Sequence, residues 1–452
     1  MIDSVSSVKH ILILLVVCFF AFFVNNQIIP ADLMESRNLA TAQEMVTQGN
    51  YLLPTLNGEL RLEKPPLPTW IAAAIDHIAP DNLSAQRCAA GVAATFLVFF
   101  LYLLVVELTR EKRLALIASL VLASCYNVVM MGRTATWDIY CHCFMVMALF
   151  LLIQALNREG SQWLRFLLSG SCMGLSFLSK GPVSFYALLL PFLISYFIIY
   201  RPSLKGKTFS VLLMVVACLI ISLWWPVYIY LFQKDWGMHV ANKESSSWTN
   251  HNVRPWYYYW AFAAESGIWA LFWITSLIWP YWKLRFKELP IKRTYLFSVL
   301  WALLALVLLS LIPEKKTRYL LPLLIPGALN IAFFLYYFAT TRFIPRKEKL
   351  FYRINISVVL AILCALPIGL YFLFYKQGDL SLCLYLLISV IGLLLAGILY
   401  YFTFRSESKP MYPLFCIVAV MMLVEGLCFI PVSRFFINDE RCSIRGVRTV
   451  KD

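Results

Sequence analysis

The sequence predicts an all-α, polytopic integral membrane protein of about thirteen transmembrane helices, and three observations carry that expectation. Of the 452 residues, 61% are hydrophobic and only 14% are charged, whereas an average soluble domain carries roughly 25% charged residues. The mean hydropathy is +0.74. The apolar residues also fall into runs long enough to cross a bilayer core, about 20 residues each. So few charges cannot cover a globular surface, which excludes a soluble enzyme.

Taken in order, the runs lie at roughly 10–29, 87–108, 113–131, 138–156, 163–179, 183–200, 209–232, 257–282, 294–312, 319–340, 354–375, 380–404 and 411–431. The first lacks a small-residue cleavage site and precedes an acidic, motif-rich segment, so it reads as a retained span rather than a signal peptide. No glycine-rich loop follows a strand pattern, so no nucleotide cofactor is expected. Nothing suggests a nucleic-acid partner. The 12 cysteines show no spacing of a disulfide framework or zinc ribbon. Cys141-His142-Cys143 opens an apolar run and reads as packing rather than as a ligand set.

Charge orients the chain. Lys and Arg total 39 against 24 Asp and Glu, and short cytoplasmic loops are enriched in Lys and Arg. With the N-terminus inside, twenty-one of the 39 cations fall in cytoplasmic loops. The predicted organisation is a transmembrane domain over 1–432, with a first outward loop at 30–86, a second at 233–256 and a short outward tail at 433–452 without a soluble C-terminal domain. Part of the outward charge is kept against the topology rule. Lys315, Lys316 and Arg318 crowd a short outward loop, and Arg133 and Lys180 stand at outward helix ends. Such a set suits an anionic ligand.

The first outward loop holds most of the remaining chemistry. Residues 34–48 contain no Gly or Pro and place Leu39, Ala42, Met45 and Val46 on one helical face, which predicts an interfacial amphipathic helix. Glu35 falls in its first turn. Asp138 starts the fourth span, one turn before His142, so both point the same way. Glu265 and Glu425 sit within spans, where an ionisable group is expensive and often functional.

The stretch Met34-Glu35-Ser36-Arg37-Asn38, followed by Leu56-Asn57-Gly58-Glu59 and Glu63-Lys64-Pro65-Pro66-Leu67, resembles the lipid A aminoarabinose transferases, within the protein O-mannosyltransferase-like C-type glycosyltransferases. Arg133-Thr134-Ala135-Thr136-Trp137-Asp138 resembles the family's second acidic motif, and Leu178-Ser179-Lys180-Gly181-Pro182 its Lys-Gly-Pro turn. Pro255-Trp256-Tyr257-Tyr258 is similar to the entry to the eighth helix. Lys316-Thr317-Arg318-Tyr319-Leu320-Leu321-Pro322 is similar to the Lys-x-x-Tyr-Leu-Leu-Pro signature.

The resemblance implies a glycosyltransferase that moves a sugar from a polyprenyl-phosphate donor to a lipid A, lipopolysaccharide or other envelope acceptor. It implies a monomer among membrane lipids of the bacterial inner membrane, with its active site on the periplasmic side. It implies Glu35 or Asp32 as the catalytic carboxylate of the first motif, with Glu35 favoured because Met34 replaces the family's aspartate, and Asp138 as the second. The implied donor-phosphate ligands are Arg37, Arg61, Lys64, Arg133, Lys180, Lys315, Lys316, Arg318 and Tyr319. A divalent metal ion would sit on Glu63 and a histidine before the eighth span, His251 or His239. The alternatives are a flippase or transporter of lipid-linked saccharide and a polysaccharide polymerase or ligase.

Overall fold

A computed structural model of the chain describes residues 2–250, 252–341, 343–406 and 411–432. Two compact units divide it, one of residues 34–333 and one of 1–33 with 334–452. Helix α1 (Ile2–Phe22) opens the second of these. The larger unit begins as α2 (Leu33–Gln48) and continues through a hairpin of β1 (Thr55–Leu56) and β2 (Glu59–Leu60) into α3 (Leu67–Ile78). Then come α4 (Leu83–Thr109), α5 (Lys112–Ala123), α6 (Tyr126–Gly132), α7 (Trp137–Asn157) and α8 (Trp163–Lys180). A π-helical turn, Phe185–Leu189, leads into α9 (Leu190–Tyr200), followed by α10 (Thr208–Phe232) and α11 (Lys234–Asn250).

A 3-10 stretch, Trp256–Trp269, precedes α12 (Ala270–Ser276), α13 (Trp279–Trp282) and α14 (Leu289–Leu311). A 3-10 turn, Thr317–Leu320, runs into α15 (Leu321–Thr340). The second unit resumes with α16 (Arg346–Leu370), α17 (Leu382–Tyr400) and α18 (Met411–Leu423), each followed by a π-helical turn.

Every one of the thirteen apolar runs lies on helical structure, but among the described residues only eight helices are long and apolar enough to cross a membrane, or nine counting one bent pair. The protein is a multi-pass membrane protein; the number thirteen is not established by these helices. The run at 113–131 is the bent pair, α5 and α6, which meet at 68°. The run at 257–282 is broken by Gly267, whose backbone (φ 66, ψ −122) lies outside any helix. The first run supplies only a shorter apolar helix, Ser7–Phe22, as does the sixth, Phe185–Tyr200.

Helix α2 forms where the apolar periodicity predicts it, and its apolar face meets another helix. Ala42 and Met45 are buried with Ala72 and Ala73 of α3, and Leu39, Val46 and Trp70 pack around them. Its apolar face is therefore covered by protein. The neighbouring stripe, Glu35, Asn38 and Thr41, is buried as well, so polar partners must be found inside the fold.

Helices α8 and α10 approach closely through Gly170 and Gly174, the small-xxx-small spacing that lets membrane helices meet. A Cβ on Gly170 would lie 2.1 Å from the Met214 carbonyl oxygen, and one on Gly174 would lie 2.6 Å from Ile221 Cβ. Backbone cannot yield as a side chain can. Gly170→Ala should therefore cost more thermal stability in detergent than Gly174→Ala, within the ~1–3 kcal/mol of an overpacked contact. Gly397→Ala, with nothing within 4 Å, should be near neutral. Equal melting temperatures for the Gly170 and Gly397 variants would refute this packing.

Candidate functional site

The buried polar face of α2 organises the site. Glu35 is 0% exposed. Arg87 of α4 donates to both of its oxygens, Nε to Oε1 at 2.8 Å and the guanidinium to Oε2 at 2.6 Å. The backbone N–H of Ala135 adds a third bond at 2.8 Å. One turn along α2, Asn38 donates to the Ala135 carbonyl at 2.8 Å and accepts from Thr69 Oγ1 of α3 at 2.7 Å. Together these fix the segment 133–136 that enters α7. Glu35 thus holds the second acidic motif in place, and its carboxylate is fully engaged. Arg87 is a site residue that the sequence reading missed, although an arginine at the start of an apolar run is the available signal.

The hairpin between α2 and α3 was also not anticipated. Its turn is Asn57 (φ 55) and Gly58 (φ 79), the Asn-Gly pair of a type I′ hairpin. Glu44 caps that turn, accepting from Thr55 Oγ1 at 2.5 Å and from the N–H groups of Asn57 at 2.5 Å and Gly58 at 3.3 Å. Burial alone would raise the proton affinity of this carboxyl, but the three donors hold its pKa below the ordinary 4.5. Strand β2 then delivers Arg61, which donates to the Arg37 carbonyl and to Thr41 Oγ1, both at 2.7 Å. Its guanidinium lies 5.4 Å from the Trp137 ring centroid, over the start of α7. Burial lowers the pKa of this guanidinium.

At the first turn of α7, Asp138 (1% exposed) is ion-paired with Lys180, the last residue of α8. Asp138 Oδ2 and both ring nitrogens of His142 are buried without a hydrogen-bond partner. The Lys180 ammonium also lies 4.8 Å from the Tyr319 ring centroid, and Arg318 is within electrostatic reach of both Asp138 and Lys180. Lys316 donates to Glu314 Oε1 at 2.6 Å and faces the same Tyr319 ring at 5.6 Å. Three separate motifs therefore converge: the start of α7, the end of α8 and the turn before α15. Gly181 makes the exit from α8 possible, with φ 76 and ψ −151.

The remaining expected residues sit differently. Lys315 is 4% exposed and donates to the Ile312 carbonyl at 2.5 Å; it ties its own loop, and burial lowers its pKa. Arg133 is 1% exposed in the turn beside Ala135. Lys64 is half-buried before the prolines that open α3, and Arg37 is exposed. Asp32 is exposed and falls in the other compact unit.

Metal binding was expected on Glu63. Its Oε1 accepts from Lys243 at 3.3 Å, while Oε2 is buried without a partner. His251 lies outside the described residues, and among those described no three His, Cys, Asp or Glu form a ligand group. The described part of the expected pair is thus one carboxylate beside an ammonium, and no chemical step is assigned to a metal. Cys141 and Cys143 are buried, and Cys141 Sγ lies 3.6 Å from Ser176 Oγ.

Fold and site define a multi-pass helical membrane protein with a buried, mixed-charge cluster where helix ends meet a first loop. Residues 63–225 match the family model described as dolichyl-phosphate-mannose-protein mannosyltransferase. The chain is 28% identical over 308 residues to an undecaprenyl phosphate-alpha-4-amino-4-deoxy-L-arabinose arabinosyl transferase of Pseudomonas fluorescens, covering 65% of this chain and 52% of that protein. It is 26% identical over 296 residues to an uncharacterized protein of Aquifex aeolicus, covering 64% and 56%. The chain thus spans about half the length of these curated relatives. ArnT of Cupriavidus metallidurans, crystallised bound to undecaprenyl phosphate, superposes with a TM-score of 0.69 at 18% identity, over 95% of this chain and 78% of that one. The apo form gives 0.70 at 19%, over 96% and 78%. The chain is similar in sequence to these transferases, as its motifs suggested, and shares the fold of the solved one.

Two measurements check the geometry. Arg87→Ala leaves a buried carboxylate without its cation and should cost about 3–5 kcal/mol, whereas Glu35→Gln combined with Arg87→Gln should cost less. Equal melting temperatures for the two would refute the buried pair. Because the Glu44 pKa is depressed in the folded chain, its contribution is complete above the ordinary value of 4.5 and is lost as pH falls through the folded value. Amide exchange at Asn57 and Gly58, corrected for intrinsic rate, should therefore accelerate on acidification and in Glu44→Gln at neutral pH.

Proposed function

We propose that the protein is a glycosyltransferase that takes a sugar from a polyprenyl-phosphate donor and passes it to a lipid A-type or other envelope acceptor. The observation that carries this reading is the convergence of Lys180, Arg318 and Lys316 with Tyr319 and Asp138. A leaving lipid phosphate needs preorganised cations where its charge develops. The names of the relatives, which act from undecaprenyl phosphate, support the same donor class.

In this reading Lys180, Arg318 and Lys316 face the phosphate, with Tyr319 as the wall between them. Arg37, Arg61, Lys64 and Arg133 line the approach from the first loop. Asp138 holds Lys180 in position, and Glu35 with Arg87 holds the loop. Asp32 is given no part in this scheme. A divalent ion on Glu63 and His251 is not required by it. A single chain suffices, since every group named belongs to one copy.

In this reading the site lies on the periplasmic side of a bacterial inner membrane, with the N-terminus cytoplasmic. Support comes from α7, whose 21 residues span about 30 Å at 1.5 Å per residue. Asp138 stands at one end. At the other, Lys207 of a cation-rich loop donates to the carbonyls of Ala155, Leu156 and Arg158 at 2.7–2.8 Å.

Purified full-length protein in detergent, given a synthetic polyprenyl-phosphate sugar and lipid A, should release polyprenyl phosphate and glycosylate the acceptor. Lys180→Gln and the double variant Asp138→Asn/Lys180→Gln should each lower turnover by about 10²-fold or more. The double variant controls for a stranded buried charge. Movement of intact lipid-linked sugar across vesicles without transfer would establish the flippase alternative instead.

A further inference from the structure

Two of the membrane runs are broken, and the breaks meet. The bend between α5 and α6 falls at Ser124 and Cys125; the other falls at Gly267. Trp269 Nε1 donates to Ser124 Oγ at 3.0 Å. A Cβ on Gly267 would lie 3.0 Å from Tyr126 Cβ, so only glycine allows both the positive φ and the contact. Next to it, Asn127 of α6 donates to Glu265 Oε2 at 2.9 Å and to the Thr317 carbonyl at 3.2 Å. Thr317 lies between Lys316 and Arg318. Glu265 is therefore two hydrogen bonds from the cationic turn, on the 3-10 stretch two residues before the non-helical backbone of Gly267. At membrane depth such backbone is tolerated only when buried in protein or lining a water-filled cavity, and Glu265 is only half-buried.

The other carboxylates around this cluster each carry a cation: Glu35 has Arg87, Asp138 has Lys180, Glu63 has Lys243 and Glu314 has Lys316. A bound cation stabilises the ionised form and weakens a base. Glu265 is held by a neutral amide alone. The groups facing it are Tyr126 and Asn127 of α6, with no cation paired to it among the described residues. Resting on the glycosyltransferase reading, we propose that Glu265 is the catalytic base that takes the proton of the acceptor hydroxyl. The hydroxyl oxygen forms a bond to the anomeric carbon as the bond from that carbon to the phosphate oxygen breaks. The electron pair leaves with polyprenyl phosphate, and the hydroxyl proton passes to Glu265 Oε1. Asn127 fixes the other oxygen and so aims the free one.

The test uses the full chain with a synthetic polyprenyl-phosphate sugar and a hydroxyl acceptor, alongside thermal stabilisation by polyprenyl phosphate alone. Glu265→Gln should lower kcat by about 10²–10⁴-fold, remove the acid-side limb of the pH–rate profile and leave the donor KM and polyprenyl-phosphate stabilisation as in wild type. Glu265→Asp should recover part of kcat. Wild-type kcat in Glu265→Gln overturns the assignment. Loss of polyprenyl-phosphate binding in that variant also overturns it, because Glu265 would then be a donor-binding group. Wild-type protein that binds polyprenyl phosphate but transfers no sugar would instead defeat the glycosyltransferase reading, and the base with it.

Discussion

The buried pair of Glu35 and Arg87 is the constraint on which the rest of the larger unit's polar architecture hangs. Each charge is fully removed from water, and removal of an ion from water is repaid only by close geometry and additional hydrogen bonds. The bidentate fork and the Ala135 N–H supply both. In satisfying itself, the pair ties three distant stretches together: the start of α2, the start of α4 and the turn into α7. Asn38 repeats the tie through the same Ala135. The position of Asp138, three residues on, follows from that anchorage, as does the seat of Arg61 over Trp137.

A second consequence is the division of labour among acidic residues. In a low-dielectric setting a carboxylate near lysines and arginines will be captured by them, and each capture fixes a loop while reducing the carboxylate's appetite for a proton. Glu44 shows the same principle with neutral partners: backbone and hydroxyl donors, not a cation, hold it ionised at the hairpin turn. Carboxylates on neighbouring motifs thus acquire different partners on folding.

Much of this was legible in the sequence, and the failures have physical causes. The helical runs and the gathering of Asp138, Lys180 and the Lys316–Tyr319 turn follow from hydropathy and motif resemblance, because both are local signals. The breaks at Cys125 and Gly267 were missed because hydropathy averages over a window and is blind to backbone conformation; the apolar run continues straight through each. Arg87 was absorbed into an apolar run for the same reason. The packing of α2 on α3 was not legible because a periodic apolar face does not name its partner. The hairpin was available in Asn57-Gly58, but two-residue strands carry too little alternation to stand out.

The two lysines at opposite ends of the same helix pair show why charge counting alone could not separate orientation from chemistry. Lys207 and Lys180 are both buried at helix ends and are the same residue type. Lys207 spends its three protons on the carbonyls of Ala155 and Leu156 in the last turn of α7 and of Arg158 at its cap, a closed arrangement that complements the negative end of a helix. Lys180 instead meets one carboxylate and the face of an aromatic ring, with Arg318 close by. A ring face offers a cation attraction without a lone-pair hydrogen bond. The first ammonium is saturated by the fold. The second, with a further cation within electrostatic reach, stands in an environment that an incoming phosphate oxygen would improve. That difference in saturation is the ground on which the proposed function gives Lys180, and not Lys207, to the donor phosphate.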